Sequence, residues 1–220
     1  MNLIISKKNA WSKELFERVS VRSDEFTWLT ECSASILENY TINYIFFFHW
    51  SDIVPAEIFN KYKCVVIHTA NLPHGRGGSP LQNQIMDGLL NSRVNLLQMT
   101  SVLDGGPVYC SQGITLQGNL TDIWMGIAAT AAELILKCVD ENPTPKEQEG
   151  TPVIYKRKTN NEIQFDETRG ISYVYDQIRM LDADGYPSAY LEINGYRLEF
   201  SRAKIDNEEI IADVKIIRKK

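Results

Sequence analysis

The chain has 220 residues, 44% of them hydrophobic and 23% charged, and a formal net charge of -5. That is enough apolar material for the core of one ordinary domain, or of one domain with a small appendage. The acidic balance excludes a global basic field for nucleic acid, and no apolar run approaches the length of a membrane span. Cys32, Cys64, Cys110 and Cys138 are far apart and form no C-x-x-C pair, which argues against a metal site. Their apolar flanks suit buried free thiols in a reducing cytosol. The N-terminus lacks a signal-peptide pattern, so the expectation is a soluble cytoplasmic protein with no membrane partner.

Leu3 to Ile5 suits a short buried strand, and Trp11, Leu15, Phe16 and Val19 have the spacing of a helix over Ala10 to Val19. Phe26 to Leu29 predicts a second strand and Ser33 to Leu37 a short helix. Ile42 to Phe48 is aromatic and β-branched, as in a central strand covered on both faces. His49 to Pro55 follows as a loop, with Pro55 placed to open a helix reaching about Tyr62. Cys64 to His68 predicts the next strand. Leu81, Ile85 and Leu89 predict a helix over Pro80 to Leu90, and strands are expected at Asn95 to Thr100 and Val108 to Gly113. Asp122 to Val139 reads as a long amphipathic helix with Thr121 as its N-cap.

This alternation predicts an α/β fold, Rossmann-like, with a parallel-rich sheet, whose ligands sit beyond the carboxyl ends of the strands. Composition shifts after residue 140: Glu141 to Gly150 is charged and contains prolines, as linkers do. A helix over about Ile171 to Leu181 follows, then strands at Ala189 to Ile193 and Tyr196 to Phe200 around Asn194-Gly195, a strong hairpin signal. The expected domains are 1–145, catalytic, and 146–220, a small C-terminal helix-and-hairpin subdomain. The basic end, Lys215 to Lys220, reads as a solvated tail.

The richest stretch is Val65-Val66-Ile67-His68-Thr69-Ala70-Asn71-Leu72-Pro73-His74-Gly75-Arg76-Gly77-Gly78-Ser79-Pro80. A buried strand runs into a loop stiffened by prolines and opened by glycines, a costly connection unless the loop has a task. Downstream, Leu103-Asp104-Gly105-Gly106-Pro107 ends another apolar approach in an acid and a turn. His68 and Asp104, each at a strand mouth, form an acid/base pair in prospect. The pattern argues against several other chemistries. Gly75-Arg76-Gly77-Gly78 lacks the lysine of a phosphate loop, and no G-x-S-x-G is present. Cys64 and His68, four apart on a strand, are about 13 Å apart, too far for a thiolate–imidazole pair.

The run H-x-x-x-L-P-x-x-R-G-x-x-P from His68 to Pro80, with the D-x-G-P turn at Asp104 to Pro107, resembles the signature of the 10-formyltetrahydrofolate-dependent formyltransferases. The resemblance covers roughly residues 42 to 200, including Tyr155 to Thr159 and Tyr186 to Tyr190. It is most similar to the compact amino-sugar N-formyltransferases of the pseudaminic-acid pathway type and to the formylation domains of peptide synthetases. The implied activity is formyl transfer from 10-formyltetrahydrofolate, as donor, to the amine of a nucleotide-linked amino sugar. Other outcomes kept open are a hydrolase using water, a non-catalytic folate- or nucleotide-binding module, and formylation of an aminoacyl group.

The resemblance also implies roles. His68 becomes the proton acceptor or the donor to the oxyanion, and Asp104 orients it and assists proton transfer. The family's oxyanion asparagine is replaced here by Val66, leaving Asn71, Thr69 and Gln82 as nearby substitutes, with Asn71 entered among the catalytic candidates. Trp50, Asp52, Ile53, Val54, Leu103 and Asp104 are implied as the folate-binding set. His74, Gly75, Arg76, Gly77, Gln82, Asn83 and Arg157 are the candidates for contact with the acceptor. The expected partner is a small nucleotide-sugar substrate and no nucleic acid; exposed apolar residues in the C-terminal hairpin would point to a homo-oligomer.

Overall fold

The computed structural model describes residues 1–219. The chain order is β1 (Asn2–Ser6), α1 (Ala10–Ser20), β2 (Phe26–Leu29), α2 (Ala34–Leu37), β3 (Tyr44–Phe48), α3 (Ala56–Lys61) and β4 (Cys64–Thr69), then β5 (His74–Gly77), α4 (Pro80–Met86), β6 (Asn91–Gln98), β7 (Val108–Thr115) and α5 (Leu120–Glu141). The remainder is β8 (Val153–Tyr155), α6 (Gly170–Arg179), β9 (Ala189–Ile193), β10 (Tyr196–Asp206) and β11 (Glu209–Arg218).

The main sheet has six strands in the order β2-β1-β3-β4-β6-β7. β2, β1, β3 and β4 run parallel, whereas β6 and β7 are antiparallel to their neighbours. The expected α/β architecture with a parallel-rich sheet is therefore the one observed. Every residue of β1 and β3 is buried, because helices or loops cover both faces of the sheet. Alternation sends Ile4, Phe46, Phe48 and Val65 to one side, against α1 and α5. Leu3, Ile5, Ile45, Phe47 and Cys64 go to the other, with Leu37 and Ile58. Each large apolar side chain buried this way contributes about 1.5–3 kcal/mol. Among the described residues no helix is long and apolar enough to cross a membrane.

Several boundaries differ from the sequence expectation. α5 starts at Leu120 and is capped by Asn119, not Thr121: the Asn119 side chain accepts from the Asp122 amide and Asp122 answers back to the Asn119 N–H. Thr121 instead donates its hydroxyl to the Asp182 carbonyl. α4 stops at Met86 because Asp87 caps it and Gly88 turns into the left-handed region at φ 77°. β6 begins at Asn91 rather than Asn95.

Cys64 and Cys138 are buried, and burial pushes both thiols up to about 12; Cys32 and Cys110 are half-buried rather than buried. The short strands β5 and β8, a parallel pair joining His74–Gly77 to Val153–Tyr155, were not legible in the pattern.

The C-terminal part is a three-stranded antiparallel sheet, β11-β10-β9, beside α6. Its first hairpin turns at Asn194 and Gly195, with φ of 47° and 79°, as Asn-Gly demands. The basic end expected to be a solvated tail is mostly strand: Lys215 to Arg218 lie in β11, paired with β10; Lys220 lies outside the described residues. Arg179 on α6 is buried. It donates to the carbonyls of Leu116 and Gly118 and pairs with Asp176, which fastens the helix to the body.

Candidate functional site

His68 lies near the carboxyl end of β4, on the strand face shared with Cys64 and Val66. The loop after the strand turns back so that the Gly75 carbonyl accepts a hydrogen bond from His68 Nε2 at 2.9 Å. The other ring nitrogen, Nδ1, faces Oδ1 of Asp104 at 3.5 Å, with the two side chains only 7% and 10% exposed. A carbonyl cannot donate, so Nε2 carries a hydrogen. Nδ1 and the Asp104 carboxyl therefore face each other across a short gap closed to solvent. A histidine and a carboxyl so placed are chemically able to pass a proton between them.

Asp104 is held by backbone rather than by charge. Its Oδ2 accepts from the Gly77 amide at 2.9 Å, and its own φ is 50°, left-handed, so the turn presents the carboxyl to the loop. Gly77 has φ 99°, and a Cβ there would stand 2.6 Å from the Tyr155 carbonyl, so only glycine offers that amide. In the same turn a Cβ on Gly106 would lie 1.8 Å from the Gln98 carbonyl. The glycines of both motifs are needed for backbone to meet backbone.

Sequence reasoning missed Gln148, in the stretch read as a linker. Its Oε1 accepts from Arg76 Nε at 3.0 Å and Nη2 at 2.8 Å, and its Nε2 donates to the carbonyls of Asp104 and Gly106 at 2.9 and 2.8 Å. One amide therefore ties the arginine of the loop to the turn carrying the acid. The stretch is ordered at its start too: Lys146 exchanges backbone hydrogen bonds with Val108.

The face of β4 bearing His68 looks toward the loop after β3. Trp50, Val54 and Met99 pack on the apolar cluster of that face. Trp50 Nε1 is buried with no partner, while Ile53, Val102 and Leu103 are exposed at 95%, 57% and 71%. The exposed apolar side chains of the two loops are the ones available to an apolar ligand. Asp52 is an open carboxyl, 3.8 Å from Lys7. Among the described residues no three His, Cys, Asp or Glu side chains gather closely enough to hold a metal ion.

Several candidates sit elsewhere. Ala70 is bonded to the Arg93 carbonyl, which carries the chain past β6, so exposed Asn71 lines a shallow depression with Asn91, Arg93 and Gly113 rather than joining the His68–Asp104 pair. Thr69 is buried. Gln82 is buried too, donating to the Met180 carbonyl, so it braces α4 against the C-terminal part instead of facing a ligand. Asn83 donates to the carbonyls of Gly78, Ser79 and Lys156, which makes it an internal tie. His74 is exposed and set edge-on to Tyr155 at 5.4 Å. Gly75 is buried, and Arg157 is exposed beside Gly78. Val66, where the asparagine was expected, is half-buried on the His68 face and offers no donor.

On the opposite face His49 leaves β3 at φ 48° and packs edge-on against Trp11 and Trp124. Asn9 gives its Oδ1 to the Ser12 amide, so its Nδ2 meets His49 Nδ1 at 3.2 Å. His49 Nε2 therefore carries the hydrogen and donates to the Tyr186 hydroxyl oxygen at 3.1 Å, which also accepts from Trp124. Burial, with Lys7 nearby, lowers the His49 pKa to about 4.

A family model for the C-terminal domain of methionyl-tRNA formyltransferase matches residues 159–217. A solved structure described as methionyl-tRNA formyltransferase from Clostridium thermocellum is 34% identical, with a TM-score of 0.91 over 99% of each chain. The chain belongs to the folate-dependent formyltransferase family. A curated methionyl-tRNA formyltransferase of Sulfurihydrogenibium sp. (strain YO3AOP1) is 29% identical over 167 residues, 71% of this chain and 52% of the relative. The chain thus spans about half the length of the curated relatives it matches. An N-formyltransferase from Helicobacter canadensis, solved with folinic acid and dTDP-3-aminofucose, shares the fold at a TM-score of 0.64 and 14% identity over 97% of this chain and 99% of that one. The family expected from the His-loop and Asp-turn is the family found. The narrower likeness to amino-sugar enzymes is carried only by that shared fold, while the stronger matches are to formyltransferases described as acting on methionyl-tRNA.

Proposed function

We propose that this chain transfers a formyl group from 10-formyltetrahydrofolate to a primary amine. The observation that carries the reading is the His68–Asp104 pair, 3.5 Å apart and nearly closed to solvent, near the carboxyl end of β4, with exposed Leu103 next to Asp104 in the same turn. The folate, when bound, supplies an electrophilic formyl carbon. The chain's own work is to manage a proton and developing charge. With Nδ1 facing Asp104, His68 can offer an N–H to the formyl oxygen only from Nε2, by exchanging the Gly75 carbonyl for the substrate, and that exchange makes it the group stabilising negative charge there. Asp104, with one oxygen held by the Gly77 amide and the other toward His68, is the seat for the proton the amine must lose.

For the acceptor, full-length similarity to an enzyme described as a methionyl-tRNA formyltransferase supports an aminoacyl amine. The net charge of -5 favours a second reading, the amine of a nucleotide-linked amino sugar, since tRNA binding draws on positive charge. The test is to incubate the chain with 10-formyltetrahydrofolate and, in parallel, methionyl-tRNA and a panel of nucleotide-linked amino sugars, following tetrahydrofolate release and product mass. A product heavier by one formyl group identifies the acceptor class. Release at the same rate without any amine would replace the proposal with a hydrolase, and binding without release would leave a folate-binding module.

A further inference from the structure

β11 is an edge strand. It runs from Glu209 to Arg218, contains neither proline nor glycine and, among the described residues, pairs only with β10. The β10–β11 ladder is interrupted by a bulge at Ser201 to Lys204, opposite Asp213 and Ile211, but a long edge of this kind still leaves a row of backbone donors and acceptors open to another strand. The sheet behind it is also apolar where it extends beyond the body. Cross-strand register places Val214 and Ile216 of β11 beside Phe200 and Leu198 of β10, and Tyr196 beside Ile193 of β9. The end of this face near the body is covered, since Phe200, Leu191 and Ile210 pack on the main core. The far end is not: Ile193, Tyr196, Val214 and Ile216 are exposed at 56%, 44%, 45% and 67%.

The charges along the strand identify what fits. Acidic Glu209 and Asp213 precede basic Lys215 and Arg218, with Lys219 just past the strand. Asp213, Lys215 and Lys219 also meet Arg202, Glu199 and Glu192 within the chain, but as exposed and therefore weak pairs, so the strand is complementary to itself when reversed. Two identical antiparallel edge strands related by a two-fold axis perpendicular to the sheet must be centred on a residue, because opposed residues point to the same face. Centring on Asp213 opposes two carboxylates, and centring on Lys215 opposes two ammonium groups. Centring on Ala212 or Ile216 leaves a single kind of opposite-charge pair, Glu209 with Lys215 or Asp213 with Lys219. Centring on Val214 sets Asp213 against Lys215 and Glu209 against Lys219, each twice, with Val214 against Val214 and Ile216 against Ala212 on the apolar face. We propose that a second copy of this chain docks edge to edge along β11 in that register, joining the two three-stranded sheets into one six-stranded sheet around a two-fold axis.

The register makes the test specific. Asp213→Lys puts lysines opposite lysines across the axis, and Lys215→Asp puts aspartates opposite aspartates. Each variant alone is expected to sediment as a monomer in analytical ultracentrifugation where the wild-type chain sediments as a dimer. The two variants mixed restore every opposite-charge pair, so a one-to-one heterodimer is expected on mixing. Circular dichroism melts of the separate variants verify that the fold is kept; because both side chains are exposed, little change is expected. A wild-type chain that remains monomeric, as it would if a different protein covered this face, overturns the proposal. So does a dimer that survives either substitution, or a mixture that stays monomeric.

Discussion

Arg76 donates twice to Gln148, and through that one side chain it is tied to the backbone of Asp104. The two motifs of the site, the loop after β4 and the acidic turn after β6, are joined by a residue belonging to neither. Gln148→Ala is expected to lower kcat/KM about tenfold or more, as misplaced groups lose roughly 1–3 kcal/mol of unmet hydrogen bonding. Gln148→Glu pairs with Arg76 but turns a carboxylate toward the carbonyls of Asp104 and Gly106, so it should not rescue. Steady-state kinetics of both variants decide this, and equal activity of the glutamate variant and wild type would show that the tie to the turn is dispensable.

Removing either partner of the His68–Asp104 pair should be severe. Asp104→Asn keeps the Gly77 amide bond but cannot carry the same charge, and His68→Ala removes the donor. A fall in kcat of about a hundredfold or more is expected for each, the range of a positioned acid–base group. Melting curves should move little for Asp104→Asn. Near-normal turnover in either variant would remove these residues from the chemistry.

Val66 faces the site half-buried and donates nothing. Val66→Asn introduces an amide on the strand face shared with His68. Faster turnover is expected, by about tenfold or more if the new donor reaches the developing oxyanion, since one such donor is worth roughly 3 kcal/mol. Unchanged or lower kcat with intact folate binding would show that the oxyanion is already served by another group.

His49 ties acid stability to the fold. Its pKa in the folded chain is about 4, against an ordinary 6.5, because burial penalises the charged ring. The unfolded chain therefore takes up this proton first as pH falls. The stabilising contribution is fully present above pH 6.5 and is lost progressively down to pH 4. Its ceiling is roughly 3 kcal/mol, less in practice because part of the ring meets solvent. Thermal melts at several pH values should show the wild-type midpoint falling across this window and His49→Gln falling less. Parallel curves would assign the acid loss to other groups.

The buried strands were legible because each is a short apolar run: Phe26 to Leu29 was read with the bounds observed, and Tyr44 to Phe48 nearly so. The hairpin at Asn194-Gly195 was legible because few other residue pairs accept two left-handed conformations in succession. β5 and β8 were invisible, since His74 to Gly77 is mostly glycine and charge and pairs only because Tyr155 passes beside it. β11 was half hidden behind its charges.

By itself the sequence determined the α/β alternation, the family and the His68–Asp104 pair, since local residue types dictate strands, tight turns and acid–base potential. Only tertiary structure decided what the remaining polar side chains do. Gln82 and Asn83 became internal braces, Asn71 was carried past β6, and Gln148 became the link between motifs. A side-chain amide is chemically the same in each case. What it donates to depends on which carbonyls the fold brings within about 3 Å, and those lie tens of residues away in the chain.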